Sequence, residues 1–128
     1  MAVLGIIGML FVIAASIFEA VMDKLNFHFD KSIFVDKKNQ LFWNPELSWK
    51  NKWKEDLKTE KFRGSSTIFV FTTDAWHLFK FFRNTSLFIG LPLLYFFPIN
   101  FILSVILARV LYGLFFTYCF DSAFVKKG

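Results

Sequence analysis

The chain has 128 residues, 55% of them hydrophobic and 20 of them phenylalanine, with a formal net charge of +5. The apolar residues stand in blocks rather than at a globular period, so a bilayer and not a protein core is expected to bury them, in a single domain. One cysteine, Cys119, excludes an intramolecular disulfide.

Ala2 to Phe18 is continuous apolar sequence with no Lys or Arg ahead of it. A cleaved signal normally has a basic start, so this stretch is expected to be a retained anchor, a first span over residues 2–22 with its N-terminus outside. Its small residues Gly5, Gly8, Ala14, Ala15 and Ser16 leave room for a neighbouring helix, although Gly5 and Gly8 are three apart and do not form the usual close-packing dimer motif. Glu19, Asp23, Asn26 and Asp30 follow at helical spacing and would form an acidic stripe if the helix continues, or simply its solvated end. In an extended chain His28 and Asp30 would point the same way.

Residues 23–64 are lysine-rich. Ten Lys or Arg and six Asp or Glu fall between Lys24 and Arg63, and by the positive-inside rule this loop is cytoplasmic. Within it Asn44-Pro45-Glu46 starts a short helix expected over 45–60, with Trp49 and Trp53 one turn apart and Lys50, Lys52 and Lys54 interleaved. Beside membrane spans that pattern is expected to place Trp43, Trp49 and Trp53 at headgroup level with the lysines on anionic lipid; binding of single-stranded nucleic acid is the alternative meaning of such mixing, and nucleic acid is not the expected partner.

Gly64-Ser65-Ser66-Thr67 ends that helix and offers caps for the next, expected over 66–83 as an amphipathic surface or re-entrant helix, a true span being the alternative. From Leu87 to Phe120 there is one charge, Arg109, in 34 residues. That length suits two spans with a tight reversal at Pro98-Ile99-Asn100, giving helices over 85–97 and 101–120 and a cytoplasmic tail over 121–128. Arg109 near the middle of a span needs protein, water or a carboxylate; Glu19 is the nearest acidic candidate, and another subunit is the other source.

The sharpest local constellation is Thr-Thr-Asp-Ala-Trp-His. Asp74 and His77, three apart on a helix, can direct carboxylate and imidazole to one point, as a pair of metal ligands or as a base with its orienting acid. Glu19 and Asp23, or His28 and Asp30, are the candidates to complete a divalent-metal site. No nucleophile elbow, paired-His motif or phosphate-binding glycine loop accompanies them, and Asp74 as a plain helix cap with His77 at the interface is the simpler reading.

The segments Phe-His-Phe-Asp-Lys-Ser-Ile-Phe (27–34), Trp-Asn-Pro-Glu-Leu-Ser-Trp-Lys-Asn-Lys-Trp (43–53) and Thr-Asp-Ala-Trp-His (73–77) resemble a group of small bacterial membrane proteins. The resemblance implies no activity, and implies that the loop and the Asp74 helix form one folded unit. The expectation is thus an all-α integral membrane protein of about three spans, probing the bilayer and other membrane subunits or itself as partners, in a bacterial inner membrane or alternatively a viral one. Its expected role is that of a non-catalytic accessory or scaffold subunit without a cofactor; the alternative is an interfacial metal-dependent enzyme, hydrolase or oxidoreductase, centred on Asp74 and His77.

Overall fold

The structure, a computed structural model, describes residues 1–128. It is all-α, with helices α1 (Ala2–Phe27), α2 (Gln40–Trp43), α3 (Pro45–Ser48), α4 (Ala75–Leu93) and α5 (Phe101–Tyr118), joined by 3-10 turns and ending in a π-helical turn at Cys119–Ala123. Two helices are long and apolar enough to cross a membrane, Ala2–Phe27 and Phe101–Ala123.

Helices α1, α4 and α5 form an up-down-up bundle, with α4 antiparallel to the other two. Small residues set the contact between α1 and α4. A Cβ placed on Gly8 would come within 2.8 Å of the Gly90 carbonyl oxygen, and one on Gly90 within 2.9 Å of the Gly8 carbonyl oxygen, so the two backbones touch where neither residue has a side chain. At the same end Gly5 lies against the Phe97 backbone, and toward the other end Phe18 packs between Phe79 and Phe82 with ring centroids 5.9 and 5.5 Å away. The glycine at position 8 thus finds its small partner on another helix, not on a second copy of its own.

The reversal after α4 falls at Pro98-Ile99-Asn100, as the turn chemistry predicts. Proline lacks the donor a continuing helix needs, and the Asn100 side chain accepts from the Ile102 N–H at 2.8 Å to start α5. Ser104 then ties the hairpin together by donating to the carbonyls of Phe101 (2.7 Å) and Leu94 (3.2 Å).

Two local expectations differ from what forms. The helix placed over 66–83 begins only at Ala75, and it runs through 84 and 85 without a break to Leu93, absorbing most of the segment placed over 85–97. Asp74 causes the late start: its extended backbone and its carboxylate, which accepts from the His77 N–H at 2.8 Å, make it the N-cap in place of the earlier Ser and Thr residues. Pro92 is tolerated in the last turn, where α4 tightens into the 3-10 turn Leu94–Phe96. The helix placed over 45–60 stops at Lys52, because residues 52–61 fold back as a short antiparallel reversal, with Lys54 N–H on the Thr59 carbonyl (2.8 Å) and Lys61 N–H on that of Lys52 (3.0 Å).

Side chains close this reversal. The Asp56 carboxylate accepts from the Thr59 hydroxyl and from the N–H groups of Thr59 (2.8 Å) and Lys58 (2.9 Å), which hold its pKa down at about 2. Glu60 likewise accepts from the Ser66 hydroxyl and from the N–H groups of Gly64 and Ser66, which keep its carboxyl below the ordinary range. A helical pattern of Trp and Lys loses here to carboxylates that capture backbone donors.

The polar residues 28–74 make a folded cap over one end of the bundle. Its core joins Phe34, Phe42 and Trp43 to Val21 and Leu25 of α1 and to Ala75 and Phe79 of α4. Asn51 donates to the Thr73 carbonyl at 2.6 Å, and the residues after α5 bond back to the cap through Ile33 N–H to Phe124 carbonyl (3.1 Å) and Lys126 N–H to Lys31 carbonyl (2.8 Å).

Candidate functional site

Glu19 sits eight residues before the end of α1, directly after the uncharged run from Ala2 to Phe18. Its Oε2 accepts from Arg83 Nη1 of α4 and from the Tyr112 hydroxyl of α5 at 3.2 Å, so a single carboxylate oxygen joins all three long helices. Arg83 also donates through Nε and Nη2 to the Asn84 side-chain oxygen at 3.1 and 3.0 Å. Asp23, one turn further along α1, lies within electrostatic range of Glu19 and Arg83. A carboxylate, a guanidinium, an amide and a phenol from three helices with apolar outer faces satisfy one another between those helices.

Arg109 is therefore not the partner of Glu19. Its guanidinium lies over the Tyr112 ring, 5.9 Å from the centroid, on an exposed part of α5, and no carboxylate pairs with it. Tyr112 thus meets Glu19 with its hydroxyl and Arg109 with its face.

Asp74 and His77 form the second constellation. Asp74 is 4% exposed; one carboxylate oxygen caps α4 and the other meets His77 Nδ1 at 2.7 Å. The imidazole is held by its Nδ1 side and its Nε2 has no hydrogen-bond partner in the chain, in the arrangement that orients a base, and the Trp76 ring packs edge-on at 5.0 Å. The other residues considered with this pair lie elsewhere. Glu19 and Asp23 are with Arg83, His28 packs against the Phe120 ring at 5.4 Å, and exposed Asp30 borders a shallow hollow shared with Asn44, Pro45 and Glu46. No three His, Cys, Asp or Glu side chains converge.

The tryptophans separate. Trp43 stacks on Phe34 with centroids 5.1 Å apart and planes 4° from parallel, inside the aromatic core of the cap. Trp49 is exposed and donates to the Glu46 carbonyl at 3.1 Å. Lys50 lies 5.5 Å from the Trp49 ring and Lys52 5.7 Å from that of Trp53, while Lys54 is exposed at the reversal.

Arg83 and Tyr112 are the residues that sequence reasoning passes over. A signal for them exists: a glutamate inside an apolar helix requires a cation at equal depth, and an antiparallel α4 supplies Arg83 before α5 can supply Arg109. No protein-family model matches the chain, and comparison with curated proteins and with solved structures finds no match.

Proposed function

We propose that the chain is a three-span membrane protein serving as a non-catalytic accessory or scaffold subunit, whose bundle packs on other membrane helices and presents the folded cap to the cytoplasm. The observation that carries this reading is the inside-out distribution of side chains. Phe88 is 82% exposed, Ile102 67%, Val3 65% and Leu114 63%, while Glu19, Arg83 and Tyr112 turn inward. Water would leave that outer face unsatisfied and a bilayer would not.

Helix α4 supports a third span. Beyond the first turns, which pack in the cap, residues 81–93 and the turn Leu94–Phe96 carry one charge, Arg83, and Glu19 neutralises it. The basic cap favours N-terminus outside and C-terminus inside. The bonds from Phe124 and Lys126 to the cap favour the same assignment, since they require the residues after α5 to lie on the cap's side. A bacterial inner membrane suits the resemblance of the 27–34, 43–53 and 73–77 segments. The test is extraction of membranes with alkaline carbonate, followed by trypsin on inverted and right-side-out vesicles. Retention, with cleavage at Lys54 or Lys58 only in inverted vesicles, is expected; release by carbonate would overturn the membrane assignment, and cleavage in right-side-out vesicles the orientation.

A second reading has one observation in its favour, the 2.7 Å contact that engages Nδ1 of a partly exposed His77 and leaves Nε2 without a partner in the chain. An interfacial hydrolase could use Nε2 as its base, and a metal-dependent form would need ligands beyond Asp74 and His77. Elemental analysis of the purified protein beside His77→Ala and Asp74→Asn tests it: metal bound by the wild type alone supports the metal-dependent form, and equal content in all three removes that form.

A further inference from the structure

Arg109 is a cation in an apolar surface with nothing in the chain to neutralise it. It lies eight residues, or roughly 12 Å, into α5 from Phe101, and about as far again from the far end of that helix. It borders a groove of about 320 Å³ between α4 and α5, walled by Leu87 and Leu91 on one side and Val105 and Ala108 on the other, with Val12 at the floor. A Cβ on Gly113 would stand 3.5 Å from Arg109 Nη1, so the guanidinium folds along its own helix toward the Tyr112 level instead of reaching for the Phe101 end.

This inference rests on the membrane reading. At mid-depth an unpaired guanidinium is costly, and the surfaces able to relieve that cost are few. Lipid phosphates lie beyond the hydrocarbon. A second copy offers no free carboxylate at that depth either: residues 1–18 and 84–120 contain no Asp or Glu, Glu19 is held by Arg83 and Tyr112, and Asp23 stands one turn nearer the cap than Glu19. Charge complementarity then selects one occupant. We propose that the α4–α5 groove receives a transmembrane helix of another protein, one carrying a single Asp or Glu near its midpoint that pairs with Arg109 while its apolar side chains seat between Leu87, Leu91 and Val105. The face of Tyr112 holds the guanidinium at the groove in readiness for that carboxylate.

A host peptide tests this directly. Polyleucine peptides about 24 residues long, with either Glu or Gln at the centre and a dansyl group at each end, are mixed with the protein in phosphatidylcholine vesicles at about pH 8, and association is followed by energy transfer from the protein's tryptophans. Vesicles are first washed in alkaline carbonate and floated; loss of the protein at that step defeats the membrane reading itself, whereas retention leaves the pairing to be judged on the peptides. Half-saturation at about tenfold lower mole fraction for the Glu peptide than for the Gln peptide is expected. Arg109→Gln should erase that preference and Arg109→Lys should keep part of it. Arg109 makes no hydrogen bond or ion pair within the chain, and its contact with the Tyr112 face lies at an exposed position, so the bundle should remain intact. Equal binding of both peptides by the wild type, or a preference that survives Arg109→Gln, overturns the proposal. So does an Arg109-dependent retention of added phosphatidylglycerol with no discrimination between the peptides, which would assign the guanidinium to lipid.

Discussion

Replacing Arg83 by Met leaves the Glu19 carboxylate with only the Tyr112 hydroxyl, and the size of the loss reports what surrounds the bundle. The side chains of Arg83 and Glu19 are 22% and 26% exposed, so about three quarters of each is covered by protein and the remainder faces whatever lies outside. If that is hydrocarbon, breaking the pair from one side should cost about 3–5 kcal/mol, whereas removing both charges in Glu19→Met/Arg83→Met should cost little, because no ion is left stranded. Because the double mutant then loses far less than the two single mutants together, the coupling energy in the cycle should be at least about 3 kcal/mol. A pair washed by water would show about 0–1 kcal/mol. The assay is reversible unfolding in mixed micelles titrated with dodecyl sulfate and followed by tryptophan fluorescence, since Trp43 and Trp76 report packing at the cap end. Single-mutant effects that add to within about 0.5 kcal/mol would refute the idea that this carboxylate clamps the three helices in an apolar medium.

Three other outcomes follow from the geometry. Gly90→Leu should destabilise the bundle by about 1–3 kcal/mol in the same titration, because its Cβ alone would lie 2.9 Å from the Gly8 carbonyl and 3.0 Å from Phe11 Cβ; an unchanged midpoint would show that α1 and α4 can separate freely. Asp74→Ala removes the cap of α4 and should cost about 1–2 kcal/mol, with Asp74→Asn recovering most of it; equal loss in both would point away from capping. Asp56, held at about 2 against an ordinary 3.8, binds its proton less readily folded than unfolded, so its contribution is present above about pH 4 and is lost as pH falls through about 2. Amide exchange at Thr59 should accelerate across that window in the wild type, and Asp56→Asn should flatten the dependence.

The parts of the fold that were legible in advance are those decided by neighbouring residues. The unbroken apolar run after Ala2 makes α1, and Pro98 followed by Asn100 fixes both the reversal and the first residue of α5. Helix α4 was harder to read because His77, Lys80 and Arg83 give it a polar side that resembles a surface helix, whereas Arg83 is matched by a residue 64 positions earlier. The Trp-Lys segment failed for a different reason: periodicity records where side chains point, and carries no trace of Asp56 and Glu60 taking backbone donors that a helix would use. Of the candidate site, the Asp74–His77 contact follows from three-residue spacing alone. The pairing of Glu19 with Arg83 instead of Arg109 depends on the antiparallel register, which the packing of Gly8 on Gly90 and of Phe18 on Phe79 and Phe82 supplies.

The bonds from Phe124 and Lys126 to Ile33 and Lys31, reinforced by Lys126 Nζ on Asp36 at 2.9 Å, make the cap and α5 one mechanical linkage. A slide of α5 along its axis cannot proceed without straining those bonds or dragging the 31–36 turn with it, and that turn carries Phe34, which stacks on Trp43. Force applied along α5 therefore arrives in the core of the cap as a displacement of an aromatic plate.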